Sequence, residues 1–335
     1  MDTPSIREFV DLPEVWDRMG EIEDRLLDVS SSEDSFLTEV AQHLITAGGK
    51  RFRPLLAMLA AQLGDPSGTK PVDAAVSVEL IHIGSLYHDD VIDESSARRG
   101  AVSANANWDN TVAILAGDFL MARASELAAS ELGQESVRLL AATYAALVEG
   151  QTLELQLDFD LGHGPEEYER VIEGKTASLI RTSARLGAIA ADCAPEVVDA
   201  VSDWAWEVGI VFQIADDVLD LVASDEYLGK PAGSDIGEGK FTLPVLHALG
   251  GPDGDRIREL LSQERPYSQA TIDEVIDLVR QGGWIEGALD EATARLERAA
   301  AAVDGLGTPR VQAVLHRMGQ FLIQQVAFAR QSATA

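Results

Sequence analysis

Two sets of aspartates in this 335-residue sequence share one spacing. The first, in HDDVIDES, supplies Asp89, Asp90 and Asp93, followed by Glu94; the second, in FQIADDVLDLV, supplies Asp216, Asp217 and Asp220. On a helix, residues four apart project from one face, about 6 Å apart along the axis. Like charges at that spacing weaken a helix, and in a chain with 56 acidic residues a solvated face is the ordinary explanation. Both sets, however, are embedded in apolar sequence: Val91 and Ile92 flank the first, and Phe212, Ile214, Val218 and Leu219 the second. Carboxylates enter buried helices when a cation offsets them. An all-oxygen donor set suits a hard ion, and Mg²⁺ binds through a few carboxylates together with waters and phosphate oxygens. Two such helices predict facing walls of one cavity that takes a diphosphate.

An acidic protein handling an anionic substrate must gather its cations locally. GGKRFRP places Lys50, Arg51 and Arg53 where a glycine turn meets a helix start, a natural anion seat. SARRG sets Arg98 and Arg99 just beyond the first acids. EGKTASL supplies Lys175 and Thr176, and GKPAGSDIGEGKFTLP supplies Lys230 and Lys240 after the second acids. Four of the five lysines fall in these segments. Singly, each is better read as a solubilising surface group; together they are specific. His82 lies seven residues before Asp89, on the same helical side, within reach of a phosphate oxygen.

The elements that must position these groups are helical. Three- and four-residue apolar periodicity dominates and strand alternation is nearly absent. The clearest helix runs from Val72 to Ser95. Others cover Asn107–Ser130, Glu135–Gln156, Pro165–Ala190, Glu196–Val222, Thr271–Arg280, Glu286–Val303 and Pro309 to about Arg330, with Gly and Pro between them. None of the breaks resembles an interdomain linker. The expected fold is all-α: one large helical bundle over 34–335, with residues 1–33 an acidic N-terminal extension packed on the outside.

Composition narrows the function. A formal charge of −30 repels nucleic-acid backbones and anionic lipid. It fits either a high-salt cytoplasm or a genome that favours Arg over Lys. No apolar run approaches ~18 residues, so no membrane span is expected. The single cysteine, Cys193, and a start without a signal peptide's apolar core suit the cytoplasm.

In order, GGKRFRP, HIGSLYHDDVIDES, RRG, AILAGDFL, GKTASL, FQIADDVLD and GKPAGSDIGEGKFTLP resemble the trans-type polyprenyl diphosphate synthases from about Ser35 to Arg330. The resemblance implies the isoprenoid synthase bundle, a homodimer, and a central cavity using three Mg²⁺ ions. Carried over by position, Asp89, Asp93 and Asp216 would hold the metal, with Asp90, Asp217 and Asp220 supporting them. Lys50, Arg53, His82 and Arg99 would bind isopentenyl diphosphate. Arg98, Lys175, Thr176, Gln213, Lys230 and Lys240 would grip the allylic diphosphate, and Lys175 and Lys230 would join the acids in catalysis.

Product length depends on the residues beneath the first acids. Ser85 and Gly84, four and five before Asp89, are small, and Ile81 is aliphatic. A farnesyl-length stop is therefore not expected. SLYHDDVIDE and SANANWDNTVAILAGD resemble the medium- and long-chain subgroup that makes quinone side chains; geranylgeranyl diphosphate remains the alternative. A class I terpene cyclase fits poorly, because it lacks a second Asp-Asp-x-x-Asp and needs no GGKRFRP. A noncatalytic partner subunit fits poorly because no motif is missing.

Overall fold

The computed structural model describes residues 5–224, 227 and 231–333; Lys230 lies outside them. Helices α1 (Ile6–Phe9), α2 (Pro13–Val29), α3 (Ser35–Thr46) and α4 (Phe52–Ala61) lead into the long α5 (Lys70–Ile92). A two-stranded antiparallel hairpin, Ala97–Arg98 with Ala101–Val102, follows. After it come α6 (Ala104–Asn107), α7 (Asn110–Leu127), α8 (Gln134–Leu157), α9 (Pro165–Ile172), α10 (Ser178–Ala190) and α11 (Pro195–Val222). The C-terminal part holds α12 (Ser234–Glu238), α13 (Leu243–Leu249), α14 (Gly254–Leu261), α15 (Gln269–Gln281), α16 (Trp284–Ala302) and α17 (Pro309–Ala333).

The expected bundle is present, with α5 at its centre. Residues on all its sides are buried, from Val72 to Asp90, so it is a core helix rather than a surface one. It packs on α7, α10, α4 and α2, while α11 packs on α10, α16 and α17. The indole of Trp204 on α11, 1% exposed, donates to Leu315 O at 3.2 Å and pins α17 in place. Helix α2 presents Val15, Ile22 and Leu26, all fully buried, and Arg25 pairs with Asp73 of α5 at 3.0 Å. The N-terminal helix is thus an outer layer with a firmly buried inner face.

The boundaries differ from expectation where the chain does something specific. Helix α5 stops at Ile92, and Asp93 caps it with its N–H on Asp89 O at 2.8 Å. The stretch 165–190 is not one helix: a π-helical turn, Glu173–Ala177, separates α9 from α10 and carries Lys175 and Thr176. Such turns rotate the following side chains out of α register, which periodicity alone does not reveal. The short hairpin was hidden because only two residues pair on each side. Its turn residues, Arg99 and Gly100, have φ of 55° and 76°, the left-handed geometry of a tight hairpin turn. Among the described residues no helix is long and apolar enough to cross a membrane.

Candidate active site

The end of α5 separates the roles of the first acids. Asp90 is fully buried and takes Nε and one terminal nitrogen of Arg98, both at 2.7 Å. Asp90 therefore holds the hairpin against α5, with Nε and one terminal nitrogen of Arg98, the residue expected to grip the allylic diphosphate, engaged on its carboxylate. Asp89 is half-buried, on the wall of a cavity of about 380 Å³. Burial raises its carboxyl pKa above the ordinary value, Asp93 adds to the rise, and Lys175 and Arg98 oppose it. Asp93, at the helix end, lies 3.6 Å from Nζ of Lys240.

On α11 the second acids divide in the same way. Asp217, 4% exposed, accepts from the Tyr168 hydroxyl at 2.5 Å and from Gln213 Nε2 at 2.8 Å. Gln213 in turn accepts from Thr176 at 2.7 Å, so the π turn, α9 and α11 are joined around one carboxylate. Burial first, then Asp235 and Asp216, push Asp217 well above the usual carboxylate range. Asp220 fastens the loop beyond it: it accepts from Ser234 Oγ at 2.8 Å and Asp235 N at 3.2 Å. Asp216 is exposed and faces a second cavity, of about 160 Å³, with Glu154, Lys175, Thr176, Gln213 and Lys240.

Two lysines approach from separate segments. Lys175 reaches Glu154 of α8 at 2.5 Å. That reach requires backbone contact between α8 and the π turn: a Cβ on Gly150 would stand 2.5 Å from Lys175 N, and one on Gly174 2.8 Å from Ala146 O. Lys240 pairs with Glu238 at 2.7 Å as well as with Asp93. Burial alone would lower its pKa, but Glu238, Glu154 and Asp93 together raise it, so it stays charged.

Of the residues expected to bind isopentenyl diphosphate, Arg53, His82 and Arg99 lie near one another. Lys50 is exposed. Arg53 is pushed down to about 10, chiefly by burial and opposed by Glu79. His82 is held well below its usual pKa by burial and then by Arg53, Arg99, Arg51 and Arg98, so it is neutral. Arg99 donates to Leu44 O at 3.0 Å and Gly48 O at 2.5 Å. Arg51 is 6% exposed and spends its guanidinium on Glu23, Glu79 and backbone carbonyls, which makes it a brace rather than an anion ligand.

Of the residues expected to set depth, only Ser85 lines the cavity beneath Asp89, with Tyr144, Leu147 and Leu155. Gly84 faces α7, where a Cβ would meet Met121 Cε at 3.0 Å and Gly117 O at 3.1 Å. Ile81 is in the core, 4% exposed. A larger groove, about 830 Å³, lies outside α8 and α10 and contains none of the aspartates.

Sequence reading missed Glu154, Tyr168 and Glu79. Glu154 sits in TLELQL, where leucines alternate with polar residues, and it belongs to no repeated acidic motif that would draw the eye. Among the described residues no three acid, His or Cys side chains converge on one point. Asp89 and Asp216 line two cavities rather than facing walls of the one expected, and the buried oxygens Gln151 Oε1 and Asp158 Oδ1 beside them have no hydrogen-bond donor. Raised carboxylates, bare oxygens and flanking lysines suit a hard divalent ion that shares its shell with a phosphorylated ligand.

Residues 34–279 match the family model described as Polyprenyl synthetase. A nonaprenyl diphosphate synthase of Mycobacterium tuberculosis is 44% identical over 260 residues, 77% of either chain. The crystal structure of a polyprenyl synthase from Caulobacter crescentus, complexed with calcium and isoprenyl diphosphate, superposes with a TM-score of 0.88. It is 33% identical and covers 96% of this chain and 98% of its own. A geranylgeranyl pyrophosphate synthase from Corynebacterium glutamicum, in a complex of the same description, gives 0.82 at 40% identity, with 94% and 96% covered. With the fold and these matches in agreement, the chain belongs to the polyprenyl synthetase family, the trans-type prenyl diphosphate synthases.

Proposed function

We propose that the chain is a Mg²⁺-dependent synthase that condenses isopentenyl diphosphate with an allylic diphosphate, making a medium- or long-chain all-trans polyprenyl diphosphate for a quinone side chain. The observation that carries this reading is Lys240: it reaches Asp93 on one wall and lines the same cavity as Asp216 on the other. An anion seated there meets lysines between two sets of acids.

Asp89, Asp93 and Asp216 would hold Mg²⁺, which when bound offsets charge on the departing diphosphate. Asp90, Asp217 and Asp220 keep their neighbours in position. Lys175 and Lys240, with Lys230 beyond the described residues, stabilise the charge that develops as the allylic C–O bond breaks. Thr176 and Gln213 hold the π turn against α11. Lys50, Arg53, His82 and Arg99 seat isopentenyl diphosphate, whose double bond adds to the allylic cation. The proton lost from the new unit passes to the released diphosphate, and an allylic diphosphate one unit longer remains. The apolar wall below Asp89 keeps water from that cation.

Exposed aliphatic side chains continue this wall to the surface: Ile92, Ile114, Leu115, Val148 and Leu155 are between 43% and 57% exposed. A contiguous apolar face of this kind supports a homodimer, in a protein working in the cytoplasm. A geranylgeranyl product is the second reading, favoured by the 40% identity to the Corynebacterium glutamicum synthase.

The test is the purified chain alone with isopentenyl diphosphate, Mg²⁺ and an allylic primer, its dephosphorylated products separated by chromatography. Products of more than four units support the proposal, and a stop at four supports the second reading. Elongation that appears only with an added subunit would overturn the homodimer. No elongation under any condition, or elongation unaffected by chelation of the metal, would overturn the function.

A further inference from the structure

Glu79 is a buried acid with no part in the reaction described above. It sits on α5, 1% exposed, one turn before His82. Three guanidinium groups surround it. Arg51 donates to its Oε1 at 3.2 Å, and Arg99 lies 3.9 Å from the same oxygen. Arg53, the third, has Nε buried without an acceptor, and Oε2 of Glu79 is buried without a donor. Buried like charges this close repel strongly, and a single carboxylate among them is what allows the cluster to form. Arg51 extends the arrangement outward. Its Nε and other terminal nitrogen grip Glu23 of α2 at 2.6 and 3.0 Å, a bidentate pair. Glu23 precedes the family-matched region, which begins at residue 34.

We propose that Glu79, braced by Glu23 through Arg51, is the positioning residue of the isopentenyl diphosphate seat: it fixes Arg53 and Arg99 against their mutual repulsion so that both face one anion. The inference rests on the function proposed above, which assigns those two arginines to that substrate. Glu79 touches neither substrate. Its removal would leave Arg53 and Arg99 without their shared counter-charge, Arg51 keeping Glu23, and those two guanidiniums would swing outward and lose their common focus. Helix α2 takes part in substrate binding by this route although it lines neither cavity.

The test is steady-state kinetics of Glu79→Gln and Glu23→Gln, each substrate varied in turn, with calorimetric titration of isopentenyl diphosphate in the absence of primer. Glu79→Gln is expected to raise KM and Kd for isopentenyl diphosphate roughly 10- to 100-fold, the range for a buried charged partner left unmet. The allylic KM should stay within about twofold. Glu23 is 44% exposed, so Glu23→Gln folds and gives a smaller rise in the same direction. If Glu79→Gln does not fold, Glu23→Gln decides. Unchanged isopentenyl constants in a folded variant, or equal rises for both substrates, would overturn the positioning role. Failure of the underlying function would show differently, as wild-type chain that binds no isopentenyl diphosphate and elongates nothing.

Discussion

Replacing Ser85 with Phe should shorten the product, and the structure gives the reason. Ser85 lies one helical turn below Asp89, about 6 Å along α5, on the wall of the cavity of about 380 Å³. An isoprene unit contributes four consecutive bonds of about 1.5 Å to the chain and advances about 5 Å. One unit therefore spans the distance from the diphosphate to position 85. A phenyl ring there narrows the space that later units need, so the product should be shorter than that of the wild-type chain. Ser85→Leu should give an intermediate length. The assay is chromatography of dephosphorylated products from each purified variant, with thermal unfolding to confirm a native fold. Gly84→Phe is the control, because its side chain would enter the α5–α7 contact against the Gly117 carbonyl at 3.1 Å. Backbone cannot yield there, and overpacking of this kind costs about 1–3 kcal/mol. A lower unfolding midpoint is expected for Gly84→Phe. An unchanged product ladder in well-folded Ser85→Phe would refute the reasoning, and so would clean shortening by a Gly84→Phe variant as stable as wild type.

Four further outcomes are expected. Asp89→Ala and Asp216→Ala should each lower kcat by more than about 100-fold, as for loss of a principal electrostatic group; full turnover in the double variant would remove the two-wall site. Tyr168→Phe deprives Asp217 of a donor at 2.5 Å, a loss of about 1–3 kcal/mol, and should raise the Mg²⁺ concentration needed for half-maximal rate; an unaltered Mg²⁺ titration contradicts this. Gly150→Ala should separate α8 from the π turn and raise the allylic KM by displacing Lys175, measured by initial rates at varied primer. His82 is neutral when folded because its pKa is depressed, whereas the unfolded chain takes up the proton below about pH 6.5. Stability at this position is therefore lost as pH falls through that value, and His82→Gln should lose less melting temperature between pH 7 and 5.5 than wild type. Equal losses would count against a buried neutral imidazole.

The class of fold, the long helices and the presence of two acidic sets on helices were legible because each leaves a pattern with its own period. Apolar spacing marks α5, α8 and α11, and acids within apolar sequence mark a cost that something must offset. Division of labour inside each acidic set was not legible. Asp89 and Asp90 are adjacent in sequence, yet one faces the cavity and the other holds Arg98, a choice made by a hairpin of four residues. The same holds for Arg51 and Arg53. Their spacing suggests two equivalent ligands, but Arg51 takes a left-handed backbone at φ 46° and turns to Glu23 of α2. Glu79 and Tyr168 have meaning only through partners far along the chain. Gly84 was placed in the cavity by its distance from Asp89, and the structure turns it toward α7 because the helices must approach closely there.

The segment from Gly233 to Lys240 is riveted at both ends to opposite walls of the active site. Gly233 N bonds the Asp220 carbonyl of α11 at 2.9 Å, and Gly239 O receives the N–H of Phe159, just past α8, at 2.8 Å. Between the rivets, Lys240 N closes the span onto Asp235 O at 2.8 Å. The strap works as a spacer gauge: the gap between α8 and α11 dictates where the Lys240 ammonium can stand. Any packing change that spreads those helices, however remote from the aspartates, should reach the chemistry as a misplaced cation.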